Sequence, residues 1–381
     1  MPLKGIKVLE FAGLAPVPFC GKILADFGAK VTVIDRVNDN ILNCMNRGKR
    51  ILAINLKVPE GQQLVRKLAG NHDVLIEPFR PGVMEKLNLG PEVLCKDNPR
   101  LIYARLTGFG QHGRLAARAG HDINYAAVSG VLSMLGRKNE RPQPPINILA
   151  FAGGSLMCSL GICLALLERH RSGHGQVIDS AMTDGAAYVS SWLFMARNIP
   201  MVFQGKRGTN TLDGGSYFYD VYETKDGKYM SVAPIEPQFF DAFKDKLGLP
   251  ELSQKVVNED EKLAAKDILT KRFLEKTQAE WSAIFEDIDA CVYPVIDWES
   301  VLDHDHLKSR HTFEKLDDGC LAPCPAPLLS RTPGQLSTRP STSSEAIEEA
   351  LDMLRDLKLS KVEMQKLVRN KVLILPTEAK L

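Results

Sequence analysis

Short apolar runs alternate with amphipathic stretches along the first hundred residues. Residues 6–11 read as a buried strand, 12–18 as a loop, 19–27 as a helix and 30–36 as a second strand. Strand, helix, strand at that spacing is a βαβ unit, so a parallel sheet with a right-handed crossover is the default. Strands at 50–56, 74–77 and 101–106 and a helix at 59–69 continue the alternation. Helical periodicity then covers 153–170, stopped by Gly173, with a strand at 176–179 and another apolar helix at 182–196. Residues 198–215 are polar and glycine-rich, with little periodicity, and read as a linker. Strands at 217–223 and 228–234 form a hairpin around Lys225-Asp226-Gly227, followed by helices to about residue 299. Pro323, Pro325, Pro327 and Pro333 mark a rigid crossing back, and helices at 344–357 and 360–369 close the chain.

This order predicts an α/β protein: an open, mostly parallel Rossmann-like sheet in a discontinuous large domain, plus a smaller α+β domain. The expected boundaries are 1–197 for the large domain, 198–215 for the linker, 216–322 for the small domain, and 323–381 for the return linker and closing helices. The loop after the first strand holds Gly13 but no GxGxxG, which argues against a dinucleotide fingerprint.

Composition narrows the function. The 381 residues are 44% hydrophobic and 25% charged, and 48 basic residues against 46 acidic ones leave a formal charge of +2. There is no global field for nucleic acid, so any anion site is local. Eight cysteines without a CxxC pair fit a reduced compartment. Cys320 and Cys324, and the run His304-Asp305-His306, lack the partners of a metal set, and no metal is expected. The N-terminus runs straight into a strand pattern without a signal-peptide core, and the longest apolar stretch, 156–167, is too short to span a bilayer. A soluble protein without membrane insertion is the expectation. Ala379-Lys380-Leu381 resembles the tripeptide read by the peroxisomal import receptor. Peroxisome is therefore the expected location, with mitochondrial import left open.

Two groups of residues carry candidate chemistry. Arg36, Lys57 and Arg80 follow strand ends, which share one edge in a parallel sheet, so together they could clamp a phosphate-rich handle. His121 precedes Asp122 at a predicted helix start, where an imidazole titrating near working pH suits proton transfer beside a carbonyl. Glu236, held between Pro234 and Pro237, could orient that imidazole or could cap the helix that follows.

The segments Gly13-Leu14-Ala15-Pro16, Leu24-Ala25-Asp26-Phe27-Gly28-Ala29, Arg47-Gly48-Lys49-Arg50, Glu77-Pro78-Phe79-Arg80-Pro81-Gly82-Val83, Gly120-His121-Asp122-Ile123-Asn124-Tyr125, Gly175-Gln176-Val177-Ile178-Asp179, Asp213-Gly214-Gly215 and 233–239 closely resemble the alpha-methylacyl-CoA racemases of the class III CoA-transferase superfamily. The resemblance implies an interlocked homodimer that interconverts the 2R and 2S forms of 2-methyl-branched acyl-CoA thioesters, with no metal or organic cofactor beyond the CoA of the substrate. Carried over by position, Arg36, Ile54, Asn55, Leu56, Lys57 and Arg80 match CoA contacts. Gly120, Asp122, Ile123, Asn124 and Tyr125 match the acyl-side loop, His121 one catalytic base and Glu236 a supporting carboxylate.

One departure bears on mechanism. Where the family reads Ala-Asp-Phe-Ala-Gly-Gly, this chain reads Ala150-Phe151-Ala152-Gly153-Gly154, and no acidic residue occurs between Glu140 and Glu168. The residue missing is the family's second catalytic group. Inverting a carbon centre needs an acid on the face opposite the base, and losing a placed donor costs about 10² to 10⁴ in rate. Three readings follow: a racemase whose inversion is impaired or rerouted, a non-catalytic acyl-CoA-binding or dimer-partner homologue, and a class III CoA transferase. The transferase would rely on that same absent carboxylate.

Overall fold

A computed structural model of the chain describes residues 1–36, 44–203, 205–255, 258–336, 354, 357 and 359–374. The expected helix at 344–357 lies outside the described residues except for Leu354 and Leu357, and Ala379, Lys380 and Leu381 lie outside them entirely. The chain divides into two compact units, one formed by residues 1–129, 145–189 and 311–381, the other by 130–144 and 190–310. These limits depart from the sequence-based boundaries. Residues 130–144 group with the second unit, where Arg137 pairs with Asp220 at 2.5 Å and Lys138 with Glu259 at 2.9 Å, pairings between residues far apart in sequence.

The first unit is built on strands β1 (Lys7–Phe11), β2 (Lys30–Asp35), β3 (Arg50–Ile54), β4 (Val74–Glu77), β5 (Ile102–Thr107) and β6 (Val177–Ala181). They pair in parallel in the order β3-β2-β1-β4-β5-β6. A strand not expected from the sequence, Leu373–Ile374, runs antiparallel along β3 and closes that edge. Strands covered on both faces need continuous apolar runs, and β1, β2 and β4 are almost wholly buried. Helix α1 (Pro16–Asp26) starts three residues earlier than the pattern indicated, because Pro16 and Pro18 suit a first helical turn, where a missing N–H costs nothing. Helix α2 (Pro59–Gly70) buries Leu64, Val65 and Leu68 against one side of the sheet, as α1 buries Leu24 against the other.

Two charged pairs sit inside this layer. Lys49 Nζ donates to both carboxylate oxygens of Glu10, at 2.9 and 2.7 Å, and both side chains are fully buried. Arg105 Nε donates to Glu77 at 2.6 Å. Burial pushes both carboxyls up to about 7, against the pull of their cationic partners.

The apolar run after residue 150 is longer than the 156–167 stretch suggested. Residues Ala150–Ser172 form one continuous helical segment of 23 residues, long and apolar enough by length and composition to cross a membrane. It opens with wide turns over Ala150–Leu156 and continues as a regular helix, Met157–Ser172. One face, with Cys158, Ile162 and Ala165, is part of the sheet's core. The expected helix at 182–196 is two pieces, Met182–Val189 and Ser191–Met195, parted at Ser190, the point where the chain passes into the second unit. Only the pair Ser190-Ser191 interrupts the apolar pattern there, too brief a signal to mark the turn.

The second unit packs a three-stranded antiparallel sheet, Asp220–Glu223, Tyr229–Val232 and Val292–Pro294, against helices Pro237–Leu247, Glu259–Phe273 and Gln278–Phe285. The hairpin turn closes through Thr224 N donating to Lys228 O at 2.8 Å, with Gly227 at φ 72°.

Candidate active site

Two of the first group of candidate residues, Arg36 and Lys57, converge at the C-terminal ends of β1, β2 and β3. A cavity of ≈ 790 Å³ there is lined by Arg36, Ile54, Asn55, Leu56 and Lys57 together with Phe11, Gly13, Phe79, Leu87 and Ile374. Local bonds shape its rim. Lys57 N donates to Asn55 Oδ1 at 3.0 Å, Gln62 Nε2 to Leu56 O at 3.0 Å, and Asn55 N to Val372 O at 2.8 Å. Gly61 is required behind this turn, since a Cβ there would stand 2.0 Å from the Asn55 carbonyl oxygen. Arg36 and Lys57 are exposed, apolar walls lie between them, and the site suits a ligand with an anionic end and a flat or aliphatic body.

Arg80 does not join this lining. Its Nη1 donates to Ala117 O at 3.2 Å, which places it along the loop that leads to His121. Its neighbour Phe79 is the residue of that turn that reaches the cavity, its ring edge-on to Phe11 at 5.8 Å. Glu77 accepts the Phe79 amide, so the buried pair with Arg105 also fixes the turn. Phe79, Leu87 and Ile374 were not candidates from sequence. Phe79 lay inside a recognised motif, while nothing in the pattern signalled that a C-terminal strand would return to β3.

The second group sits after β5. Helix Asp122–Val128 begins at His121, whose own N–H donates to Asn124 Oδ1 at 3.0 Å. The imidazole is exposed, as are Ile123 and Asn124, whereas Asp122 and Tyr125 are buried. Tyr125 pins the loop. Its hydroxyl donates to Gly120 O, its ring meets Phe109 edge-on at 5.1 Å, and a Cβ at Gly108 or Gly120 would stand 2.2 or 2.7 Å from that ring. Burial raises the Tyr125 phenol above its ordinary value, with Arg80 acting in the opposite sense.

Asp122 turns inward. Its Oδ1 accepts the backbone N–H of Ala150 at 2.6 Å, and its Oδ2 is buried with no hydrogen-bond partner among the described residues. Ala150 opens the wide-turned segment, which lies tight on helix Met182–Val189: a Cβ on Gly185 would fall 1.7 Å from Gly153 O, and one on Gly153 would fall 2.4 Å from Ala186 N. Wide turns of this kind recur at functional sites.

Glu236 belongs to the second unit and stands at the start of helix Pro237–Leu247 without a capping bond from its side chain. Gln254 Nε2 donates to the Pro234 and Ile235 carbonyls, both at 2.9 Å, which holds the approach rigid. The exposed Glu236 carboxylate acts with burial to raise the Cys291 thiol. A larger cavity of ≈ 890 Å³ also lies in this unit, lined by Arg137, Arg197, Lys206, Arg207 and Tyr219 among others. Arg137 there is already committed to Asp220. The β1–β3 cavity is preferred as the ligand site because it stands at the strand ends of a parallel sheet. Among the described residues no group of three or more His, Cys, Asp or Glu side chains could hold a metal ion.

The model of CoA-transferase family III matches residues 3–344. The chain belongs to that family. It is 49% identical over 376 residues to alpha-methylacyl-CoA racemase from Mus musculus, covering 98% of this chain and 97% of that one. It is 48% identical over 379 residues to the Homo sapiens protein of the same name, covering 98% of each. A solved structure, a CAIB/BAIF family protein from Brucella suis, superposes with a TM-score of 0.79 at 25% identity, over 93% of this chain and 99% of that one. More distant members are named as CoA transferases, among them a Chloroflexus aurantiacus succinyl-CoA–L-malate CoA-transferase subunit, 29% identical over 92% of this chain and 93% of its own length.

Proposed function

We propose that this protein is an isomerase that racemises 2-methyl-branched acyl-CoA thioesters by removing and returning the proton at C2. The observation that carries this reading is the 48–49% identity to two alpha-methylacyl-CoA racemases over 98% of the chain. The site geometry supplies a chemistry to match. Arg36 and Lys57 at the β1–β3 cavity would hold the phosphates of CoA, and exposed His121 would take the α-proton. That proton is acidic because the resulting carbanion is delocalised onto the thioester oxygen. No cofactor is needed beyond the CoA of the substrate. Glu236 enters the proposal as a supporting carboxylate on the resemblance at 233–239 alone.

Assembly as a homodimer is part of the proposal. It is supported by the row Leu160, Leu164 and Leu167, which are 47, 56 and 63% exposed on one face of helix Met157–Ser172. Import into peroxisomes belongs to the same proposal, with Ala379-Lys380-Leu381 as the tripeptide the import receptor would read.

The test is incubation of the purified protein with one 2-methylacyl-CoA epimer in deuterated water. Deuterium at C2 accompanied by the opposite epimer is the expected result. Tight acyl-CoA binding without deuterium uptake would leave a binding protein and defeat the racemase reading.

A further inference from the structure

The segment that lacks the family's second carboxylate already has a carboxylate beside it. Asp122 projects from the first position of its helix into the first unit, only 4% exposed, and its Oδ1 accepts the Ala150 amide at 2.6 Å. Ala150 is the residue after which the family's aspartate would stand. Oδ2, the second oxygen, is buried and without a hydrogen-bond partner among the described residues. Buried carboxylate oxygens are rarely left so, and an unsatisfied one in a native structure calls for a role or a ligand. The segment it reaches is itself unusual: wide turns over Ala150–Leu156, with a backbone locked against helix Met182–Val189 by the Gly153–Gly185 contact.

We infer that Asp122 replaces the missing aspartate as the second acid/base. The inference rests on the racemase reading above. His121 and Asp122 are consecutive, but one side chain is exposed and the other is directed to the 150–151 segment. The two side chains leave one helix start in different directions, so a C2 held between the imidazole and the 150–151 segment would meet one group on each face. In one direction the His121 imidazole takes the C2 proton. The C–H electron pair moves onto the thioester oxygen, and the Asp122 carboxylic acid then gives its proton to the opposite face, ending as carboxylate beside an imidazolium. In the other direction the Asp122 carboxylate takes the proton and the imidazolium returns one. Exchange with water resets both groups, and no other reactant is consumed.

The Ala150 amide anchors Oδ1 and leaves Oδ2 as the transferring atom. The absent residue thus removes a side chain but not the carboxylate function at that place.

Asp122→Asn tests this, because the amide oxygen can still accept the Ala150 N–H while the exchangeable acid is gone. With a single epimer in deuterated water, the variant is expected to take up deuterium at C2 with retention through His121, while inversion falls about 10²-fold or more. Inversion at the wild-type rate would overturn the assignment. So would parallel loss of exchange and inversion with a lowered Tm, which is the mark of a purely structural residue. A second variant sharpens the test: an aspartate inserted between Ala150 and Phe151 in the Asp122→Asn background is expected to restore inversion. A folded double variant that exchanges without inverting would also overturn the proposal. Wild-type protein that takes up no deuterium would instead sink the racemase reading, a separate failure visible before any variant is made.

Discussion

The cavity rim and the proton-transfer segment lie on the same sheet but are held in place by different means. The rim at 36 and 54–57 is shaped largely by short-range bonds around the end of β3: Lys57 to Asn55, and Gln62 to Leu56. The proton-transfer segment is fixed by residues distant in sequence, with Asp122 on Ala150 and the backbone of Gly153 against Gly185. The sheet order puts β3 at one side and β5-β6 at the other, so each region can be disturbed without the other. The rim should tolerate change gradually. The segment should fail abruptly, because backbone-to-backbone contact has no flexible side chain to yield.

Gly185→Ala is the sharpest way to break that contrast and should have the largest effect. The new methyl would meet Gly153 O at 1.7 Å, C at 2.5 Å and Cα at 2.8 Å, all backbone. Overpacking of this kind costs about 1–3 kcal/mol, and here it also displaces the segment that Asp122 touches. We expect a clear fall in Tm and a drop in kcat for racemisation of about 10²-fold, since small misplacements at a reacting centre are costly. KM, read through the CoA handle, should stay within about twofold, because the rim is not touched. A parallel collapse of KM would mean that the two regions are one cooperative structure.

The reverse experiment acts on the rim. Arg36→Ala or Lys57→Ala removes a cation facing the cavity, and hydrogen bonds to charged groups contribute about 1.5–3 kcal/mol. The expected result is about a tenfold rise in KM for either substitution, steeper at low salt, with kcat unchanged. A fall in kcat at constant KM would move these residues from the handle to the chemistry. Arg80→Ala offers a control within the same motif set: its guanidinium lies on the Ala117 carbonyl rather than in the cavity, so KM should move less than for Arg36.

The same contrast governs what could be read from the chain. Strand ends follow from apolar runs bounded by polar residues, so the sheet, its parallel sense and the placing of Arg36 and Lys57 after strand ends were legible, whereas Ile54, Asn55 and Leu56 entered through the family resemblance alone. What depended on contacts between distant residues was not. The Ser190 break is signalled only by two adjacent serines within an otherwise apolar stretch, and the return of residues 130–144 to the second unit rests on Arg137–Asp220 and Lys138–Glu259. The absence of an acid between Glu140 and Glu168 was visible as a gap in composition. That Asp122 folds back onto Ala150 was not, because an acidic residue in a first helical turn is ordinarily explained by the helix dipole.

Ile374 provides the finest test, because it belongs to the rim in space but comes from the far end of the chain. Leu373 and Ile374 pair with Ile54 and Ala53, and Val372 O accepts the Asn55 amide, so this short strand steadies the turn that carries the cavity residues. Its two side chains differ in use: Leu373 is 1% exposed and packs in the core, whereas Ile374 is 41% exposed and lines the cavity. Leu373→Ala should therefore lose the stability of a buried leucine, about 2–5 kcal/mol, seen as a lowered Tm, with KM moving only as the turn loosens. Ile374→Ala leaves the core intact and removes part of an apolar wall worth about 1 kcal/mol of contact. A rise in KM of about fivefold at constant Tm and kcat is the expected outcome. If Ile374→Ala instead lowers Tm and leaves KM alone, the strand serves the sheet only, and the cavity ends at Leu56.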